Sequence, residues 1–397
     1  MLPRHRLPRP RRSRAVGLAL LAAGAAFSCA SQRPATPVDR PVIRMPVEPP
    51  AAQPAPIETP APAPAAPAIP EAATPPPKPP ATAITLVLPL DAPDFRPAAE
   101  AVSMGFLAAM AAEGRKLDVV VRRSDASDAS VLAQYQAAVE AGTLLVVGPM
   151  TRSGVTALVR NHKVAVPTLA LNQPDGGGPL PASLYVFGLG VDVEARQVAR
   201  QAWADAMRIA AVVGTATPLS QRSREAFVDE WLLLGGKVTD VVELRPGTDP
   251  VQIREVVDRN PPHFVFLAES GDRARLLRPY VGSQMPVYAT SQVNTSADPV
   301  KNLDMNGVRF ADMPWLVRPE DPAMARFPRP QGLDGDLARF YALGIDAYRI
   351  AERLVDGGRA FDFAGVTGRI AVQGGGVVER RPVAATFRDG RGVALEE

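Results

Sequence analysis

Cysteine and histidine are almost absent from this sequence. One cysteine, Cys29, and three histidines occur in 397 residues. A single cysteine cannot form a disulfide within the chain. No ligand spacing typical of a structural zinc site occurs, and no G-x-S-x-G motif of a serine hydrolase is present. His162 and His263 stand apart from any partner motif. We therefore identify no catalytic set, no metal site and no cofactor, and the sequence does not predict an enzyme.

The first 28 residues are predicted to be a lipoprotein signal peptide. Residues 1–14 contain six arginines and no acid, and residues 15–27 are apolar and mostly small. This apolar run of 13 residues is shorter than the run of about 20 that a membrane-spanning helix needs. The Ser28-Cys29 pair that follows resembles a lipobox, although Ala26 stands where leucine is usual. We expect lipid attachment at Cys29, with an ordinary signal peptide and an incidental cysteine as the alternative.

Removal of this leader changes the charge of the chain. The formal net charge is +3, and the six arginines removed with residues 1–28 leave the mature chain at −3. A nucleic-acid partner is therefore not expected. By the sorting rule of enteric-type bacteria, the lack of aspartate after Cys29 favours the outer membrane, with the protein facing the periplasm.

Residues 29–81 are predicted to be a disordered tether rich in proline and alanine. Residues 33–80 hold 18 of the 43 prolines. Such a segment has little apolar surface to bury and favours a polyproline-like spacer. At about 3.1 Å per residue, it would reach roughly 150 Å when extended. A linker of arbitrary length is the alternative interpretation.

Residues 82–397 are predicted to form an α/β fold with two lobes. Apolar runs alternate with helix-like stretches, which is typical of mostly parallel sheets covered by helices. We assign lobe one to about 82–190 plus C-terminal returns, and lobe two to about 208–330. The predicted strands are 83–90, 117–122, 143–148, 166–171, 184–189, 209–214, 237–244, 263–269 and 286–290. The predicted helices are 95–114, 129–141, 153–162, 193–207, 221–234, 250–259, 272–281 and 334–355. The last part, 368–391, is predicted to be two strands joined by glycines 374–376.

Polar residues follow the predicted strands. In open α/β sheets, ligands bind beyond the carboxyl ends of the strands. Thr151 and Ser153 also stand at a predicted helix start, where free N–H groups attract a carboxylate. For each residue alone, capping or loop structure is the simpler explanation, so the set predicts only a candidate cleft. Its candidate residues are Asp91, Thr151, Ser153, Asn172, Gln173, Thr215, Glu269 and Ser291.

Several strings of the sequence resemble one protein family, the LppC/LpoA lipoproteins that activate penicillin-binding proteins. These strings are LPLDAPDFRPAAEAVSMGFLAA (88–109), VVGPMTRSGVTAL (146–158), VPTLALNQPD (166–175), ARFYALGIDAYRIAERL (338–354) and GVTGRIAVQGGGVVERRPVAATFRDG (365–390). The resemblance implies a type I periplasmic-binding fold. It also implies a non-catalytic outer-membrane lipoprotein that docks on a class A penicillin-binding protein, a bifunctional peptidoglycan synthase. Larger members have a helical-repeat domain where this chain has the Pro/Ala segment.

A solute-binding lipoprotein of an ABC importer is the alternative function. Such a receptor would need hydroxyl groups in lobe one for an amino-acid carboxylate and an acid in lobe two for its ammonium group. Thr151, Ser153 and Glu269 match these requirements, so a small-molecule ligand in the cleft stays open.

Overall fold

Two mostly parallel sheets form the framework of the computed structural model. The structure describes residues 83–115, 117–161, 164–176 and 178–395. The predicted signal peptide, Cys29 and the predicted tether lie outside the described residues, as does His162. None of the helices in the described ranges is both long enough and apolar enough to cross a membrane.

The first sheet consists of five parallel strands in the order β2-β1-β3-β4-β5. Its strands are β1 (Ala83–Leu88), β2 (Asp118–Arg123), β3 (Leu145–Val147), β4 (Thr168–Ala170) and β5 (Leu184–Val186). Helices α1 (Arg96–Glu113), α2 (Asp128–Glu140) and α3 (Arg152–Arg160) connect them. The central strands are fully buried apolar runs, as expected when helices cover both faces of a sheet.

The second sheet has the order β15-β14-β10-β9-β8-β6-β7. Five of its strands are parallel: β6 (Ile209–Thr215), β7 (Lys237–Leu244), β8 (Phe264–Ala268), β9 (Val287–Ala289) and β10 (Arg309–Asp312). Helix α4 (Val191–Ala204) precedes β6, and helices α5 (Pro218–Leu233), α6 (Val251–Arg259) and α7 (Gly271–Val281) connect the strands from β6 to β9. Two 3-10 turns follow, at Ser291–Val293 and Val300–Met305. The predicted order of strands and helices up to β9 is confirmed, with ends that shift by up to three residues.

The C-terminal segment returns to both lobes. After the short helices α8 (Pro314–Val317) and α9 (Pro322–Ala325), helix α10 (Gly335–Val355) packs into the core of the first lobe. A small antiparallel sheet follows, formed by β11 (Phe361–Ala364), β12 (Arg369–Val372) and β13 (Val378–Arg381). Strands β14 (Val383–Arg388) and β15 (Arg391–Ala394) then extend the second sheet. The sequence predicted two strands over 368–391, whereas the structure has β12, β13, β14 and the start of β15 there. Strand β14 was missed because its partner β10 is distant in sequence and leaves no local signal.

The predicted glycine turn of this segment is confirmed. Strands β12 and β13 pair antiparallel, and all three glycines at 374–376 have positive φ angles. Residues with a Cβ rarely adopt this backbone region, so glycine suits the turn.

Helices α1 and α10 pack at very close range. A Cβ atom added to Gly105 would lie 1.9 Å from the carbonyl oxygen of Tyr341, and one added to Gly344 would lie 2.1 Å from that of Val102. The two glycines therefore permit backbone contact between the helices. Phe106 and Tyr348 pack edge to face beside this crossing, with ring centroids 5.3 Å apart. The apolar stripe predicted for 334–355 is confirmed as the buried face of α10.

Candidate functional site: a cleft between the lobes

Two adjacent cavities share Val191 and Leu219, and only the larger one is lined by residues of both lobes. The cavity against lobe one has a volume of about 640 Å³, and the cavity within lobe two has a volume of about 280 Å³. Together they are within the range of small-ligand sites, roughly 300–1,000 Å³.

The start of α3 forms one wall of the larger cavity. Thr151 caps this helix, because its Oγ1 accepts a hydrogen bond from the Gly154 N–H at 3.3 Å. Asn172 donates through Nδ2 to the Met150 carbonyl oxygen at 3.1 Å. Ser153 is exposed and makes no side-chain hydrogen bond to another described residue. Thr151, Ser153 and Asn172 thus line one cavity, and Ser153 has a hydroxyl available.

Charged side chains surround an apolar floor in this cavity. Arg152 lies 3.7 Å from Asp175, whereas the exposed Arg222 of α5 has no ion pair within the described ranges. Asp94 and Asp192 also line the cavity. The larger apolar lining residues include Phe95, Met150, Leu171, Leu189, Phe340 and Leu343. Such a cavity suits an apolar body that bears an anionic group.

The smaller cavity contains the predicted acid. Glu269 Oε1 accepts a hydrogen bond from Ser220 Oγ at 3.2 Å, and Oε2 has no hydrogen bond within the described part of the chain. Ser220 Oγ in turn accepts the Thr215 N–H at 2.9 Å. The hydroxyl of Ser223 is buried and has no partner among the described residues. A free carboxylate oxygen beside an unsatisfied hydroxyl favours a ligand with a hydrogen-bond donor or a cation.

The other predicted residues do not line these two cavities. Asp91 is exposed and forms an ion pair with Arg123 at 2.7 Å. Thr215 is buried, with its Oγ1 3.3 Å from Thr217 Oγ1. Gln173 lines a separate cavity of about 180 Å³. Ser291 is buried and donates through its hydroxyl to Glu194 at 2.6 Å. These residues follow strands as predicted, but Asp91, Thr215 and Ser291 contact other protein side chains, and none of the four lines the two cavities.

A buried polar network, which sequence reasoning missed, lies behind the cleft. Glu194 and Arg380 form an ion pair at 2.7 Å with side chains only 3% and 2% exposed. Glu194 also accepts the Ser291 hydroxyl, whose backbone carbonyl accepts from Arg339 at 2.9 Å. Arg339 forms a second buried ion pair, with Asp312 at 2.8 Å. Burial of Arg339 lowers the pKa of its guanidinium, because it removes water from the charged form. The charge and hydrogen bond of Asp312 have the larger effect, so the pKa is raised overall. The one feature of the sequence that could have indicated this network is the presence of arginine within otherwise apolar stretches.

The described residues contain no group of three or more His, Cys, Asp or Glu side chains placed to hold a metal ion. The cleft therefore offers hydrogen bonds, two arginines and carboxylates rather than a metal centre.

The fold and the cleft define this chain as a two-lobed protein of the periplasmic-binding class. Its sequence matches the family described as "LppC putative lipoprotein" over residues 64–260 and 251–390. The chain therefore belongs to the LppC lipoprotein family, as the resemblance of the quoted strings predicted.

Curated relatives of the chain are named "Penicillin-binding protein activator LpoA". The relative from Photobacterium profundum is 25% identical over 344 residues, which cover 77% of this chain and 55% of the relative. The relative from Edwardsiella piscicida is 28% identical over 312 residues, covering 66% of this chain and 44% of the relative. The chain thus spans about half the length of the curated relatives it matches.

Solved structures share the fold. Full-length LpoA from Haemophilus influenzae superposes with a TM-score of 0.68 at 24% identity, covering 79% of this chain and 59% of that protein. A "putative branched-chain amino acid ABC transporter" from Chromobacterium violaceum ATCC 12472 superposes with a TM-score of 0.65 at 34% identity. That match covers 77% of this chain and all of the other.

Proposed function

We propose that this protein is a non-catalytic lipoprotein that binds and activates a class A penicillin-binding protein. Membership of the LppC family, whose curated members matched here are named activators of penicillin-binding proteins, is the observation on which this rests. A domain of a related protein from Haemophilus influenzae is described as a regulator of PBP1A, which agrees with such a partner.

The proposed mechanism is contact rather than chemistry. The lipid on Cys29 would hold the chain in the outer membrane, and the Pro/Ala segment would let the folded part reach a synthase across the periplasm. At about 0.8 kcal/mol per buried CH₂, the several acyl chains of a bacterial lipoprotein would keep it attached. The two lobes would act as a preformed docking body, since the Glu194–Arg380 and Arg339–Asp312 pairs tie distant segments together.

The test uses a soluble form that begins at Ala30. Its binding to the ectodomain of a class A synthase is measured by surface plasmon resonance, and glycan-chain synthesis is followed with and without it. We expect binding and faster synthesis. A periplasmic amino-acid receptor of the same fold serves as the negative control. Absence of both binding and stimulation, with correctly folded proteins, would end the activator proposal.

Amino-acid binding in the cleft is the second candidate function. It is supported by Glu269, which has a carboxylate oxygen without a partner among the described residues, by Arg222 of the same lobe, and by the Ser153 hydroxyl across the cleft. The similarity to a protein described as part of a branched-chain amino acid transporter also favours it. Calorimetry against free amino acids tests this function directly.

One variant separates the two functions. Glu269→Gln keeps the shape of the side chain but removes its charge. An amino-acid receptor would lose affinity for its ligand, whereas an activator would stimulate the synthase as before. Heat release with an amino acid that disappears in Glu269→Gln, without synthase binding, would establish the receptor function instead.

A further inference from the structure

Another cavity lies on the side of helix α10 that faces away from the cleft. Its volume is about 330 Å³, at the lower end of the range of small-ligand sites, roughly 300–1,000 Å³. Ala338 and Tyr341 line it, whereas Phe340 and Leu343 line the larger cavity of the cleft. Because successive residues of an α-helix are about 100° apart, these two pairs lie on nearly opposite sides of α10. The cavity is therefore separate from the cleft.

Trp315 provides an unsatisfied hydrogen-bond donor in the wall of this cavity. Its side chain is only 2% exposed, yet its indole N–H has no hydrogen-bond partner among the described residues. It is not one of the fully enclosed side-chain atoms that lack a partner, so a molecule in the cavity can reach it. By contrast, the indole N–H of Trp231 donates to the Lys237 carbonyl oxygen at 3.0 Å. Since polar groups of buried side chains are normally paired, the Trp315 N–H favours a ligand with an acceptor atom.

The start of α10 adds further donors to the same cavity. Gly335, the first residue of the helix, lines the cavity, and the preceding Asp334 makes no side-chain capping hydrogen bond. The first N–H groups of a helix have no partner within it and carry a partial positive charge. Together with the Trp315 N–H, they make the cavity suited to a negatively charged oxygen acceptor.

Arginines give the wall of the cavity a positive charge balance. Arg329 lies over the Trp315 ring, with Cζ 3.8 Å from its centroid, and donates to the Trp315 carbonyl oxygen at 2.8 Å. Arg391 also lines the cavity and stands directly opposite Arg388 in the β14–β15 pair, and neither has an ion pair within the described ranges. Like charges opposite each other in a sheet repel, so a bound anion stabilises this arrangement. Asp334 is the one carboxylate among the lining residues, and the two lining arginines leave an excess of one positive charge.

We propose that this cavity is a second ligand site, which binds a small carboxylate with an apolar body. The indole N–H, the helix start and the arginines bind the carboxylate, and Leu316, Val317 and Leu333 contact the apolar part. A free amino acid also carries an ammonium group, for which the lining offers only the exposed Asp334. An N-acylated amino acid lacks this group and therefore fits better. The inference does not depend on the proposed function.

The experiment titrates the soluble form that begins at Ala30 with N-acetyl-leucine and follows the indole signals of its three tryptophans by proton–nitrogen correlation NMR. Trp315→Phe removes one signal and thereby assigns it. We expect this signal to shift until saturation, because its N–H gains an acceptor, while the signals of Trp203 and Trp231 stay in place. The uncharged N-acetyl-leucinamide is the matched ligand control and should bind about tenfold more weakly or worse.

Two variants change the charge of the cavity in opposite directions. Arg391→Gln should weaken binding of N-acetyl-leucine about fivefold, and Asp334→Asn should strengthen it by up to about fivefold. Both positions are exposed, and circular dichroism checks that the fold is unchanged. Arg254→Gln, at an exposed position of α6 that does not line the cavity, is the control and should have no effect.

Three results would overturn the proposal. The first is the lack of a saturable shift of the Trp315 signal, and the second is equal binding of the acid and its amide. The third is binding that Arg222→Gln abolishes and Arg391→Gln leaves intact, because the ligand would then lie in the cleft.

Discussion

The crossing of α1 and α10 allows a stability prediction to be worked from distances. In Gly344→Ala, the new methyl group would lie 2.1 Å from the Val102 carbonyl oxygen, about 1.3 Å short of the 3.4 Å of ordinary contact. Its neighbours are backbone atoms, which cannot rotate away as a flexible side chain can. The two helices must therefore separate, and the gap weakens the packing of buried residues along both helices.

Two effects of this substitution oppose each other. Alanine is favoured over glycine within a helix by about 1 kcal/mol. Forcing extra volume into a packed core costs typically about 1–3 kcal/mol and more where backbone must move. Because two helix backbones collide here, we expect the second effect to win, with a net loss of about 2 kcal/mol or more in the free energy of unfolding.

Urea unfolding followed by circular dichroism measures this loss. Gly105→Ala should lower stability in the same way, since its methyl group would meet the Tyr341 carbonyl oxygen. The double variant should lose less free energy of unfolding than the sum of the two single variants, because both substitutions act on one helix crossing. Met104→Ala, at a 44% exposed position on the same helix, is the control and should change stability by less than about 0.5 kcal/mol. A Gly344→Ala variant as stable as the native chain, or more so, would show that the two helices accommodate the methyl group without separating.

Three further predictions follow from other parts of the molecule. Arg380→Met leaves the carboxylate of Glu194 buried without its cation and should cost about 3–5 kcal/mol of unfolding free energy in urea titrations; little change would show that this buried pair does not stabilise the fold. Burial and the nearby Glu352 raise the pKa of Tyr348 to about 12 from its usual value of 10.0. The folded state thus holds this proton more tightly, so the stability contribution is complete below pH 10.0 and is lost as pH rises towards about 12. Alkaline unfolding of native chain and Tyr348→Phe measures it, and identical pH profiles would contradict it. Cys29→Ser should release the protein from membranes, and a variant that still fractionates with the outer membrane would exclude lipid attachment there.

The order of elements was predictable because its signals are local. Buried strands such as β1 and β8 are continuous apolar runs, and α10 shows its buried face through the spacing of Tyr341, Gly344 and Tyr348. The start of α5 was missed by three residues, since the helix begins at Pro218 directly after its cap Thr217. Capping depends on one side chain, which a periodic pattern does not include.

The candidate site was predictable only in part. Parallel strands end at one edge, so Thr151 and Asn172 could be expected near each other, and they line one cavity. The same rule did not distinguish Glu269 from Ser291, which also follows a strand. Glu269 lines a cavity, whereas Ser291 is buried against Glu194. Both follow strands, and only the packing around each decides whether it faces the cleft.

The alternation of strands and helices, the glycine turn and the family could be read from consecutive residues. Which distant groups meet depends on how the chain packs in three dimensions. Glu194 and Arg380 lie 186 positions apart, and Gly105 contacts the backbone of a helix more than two hundred residues later. A buried charge or a close helix crossing is stable only when its partner is present. That partner comes from a distant segment that packs back against it, so a local sequence pattern does not reveal it.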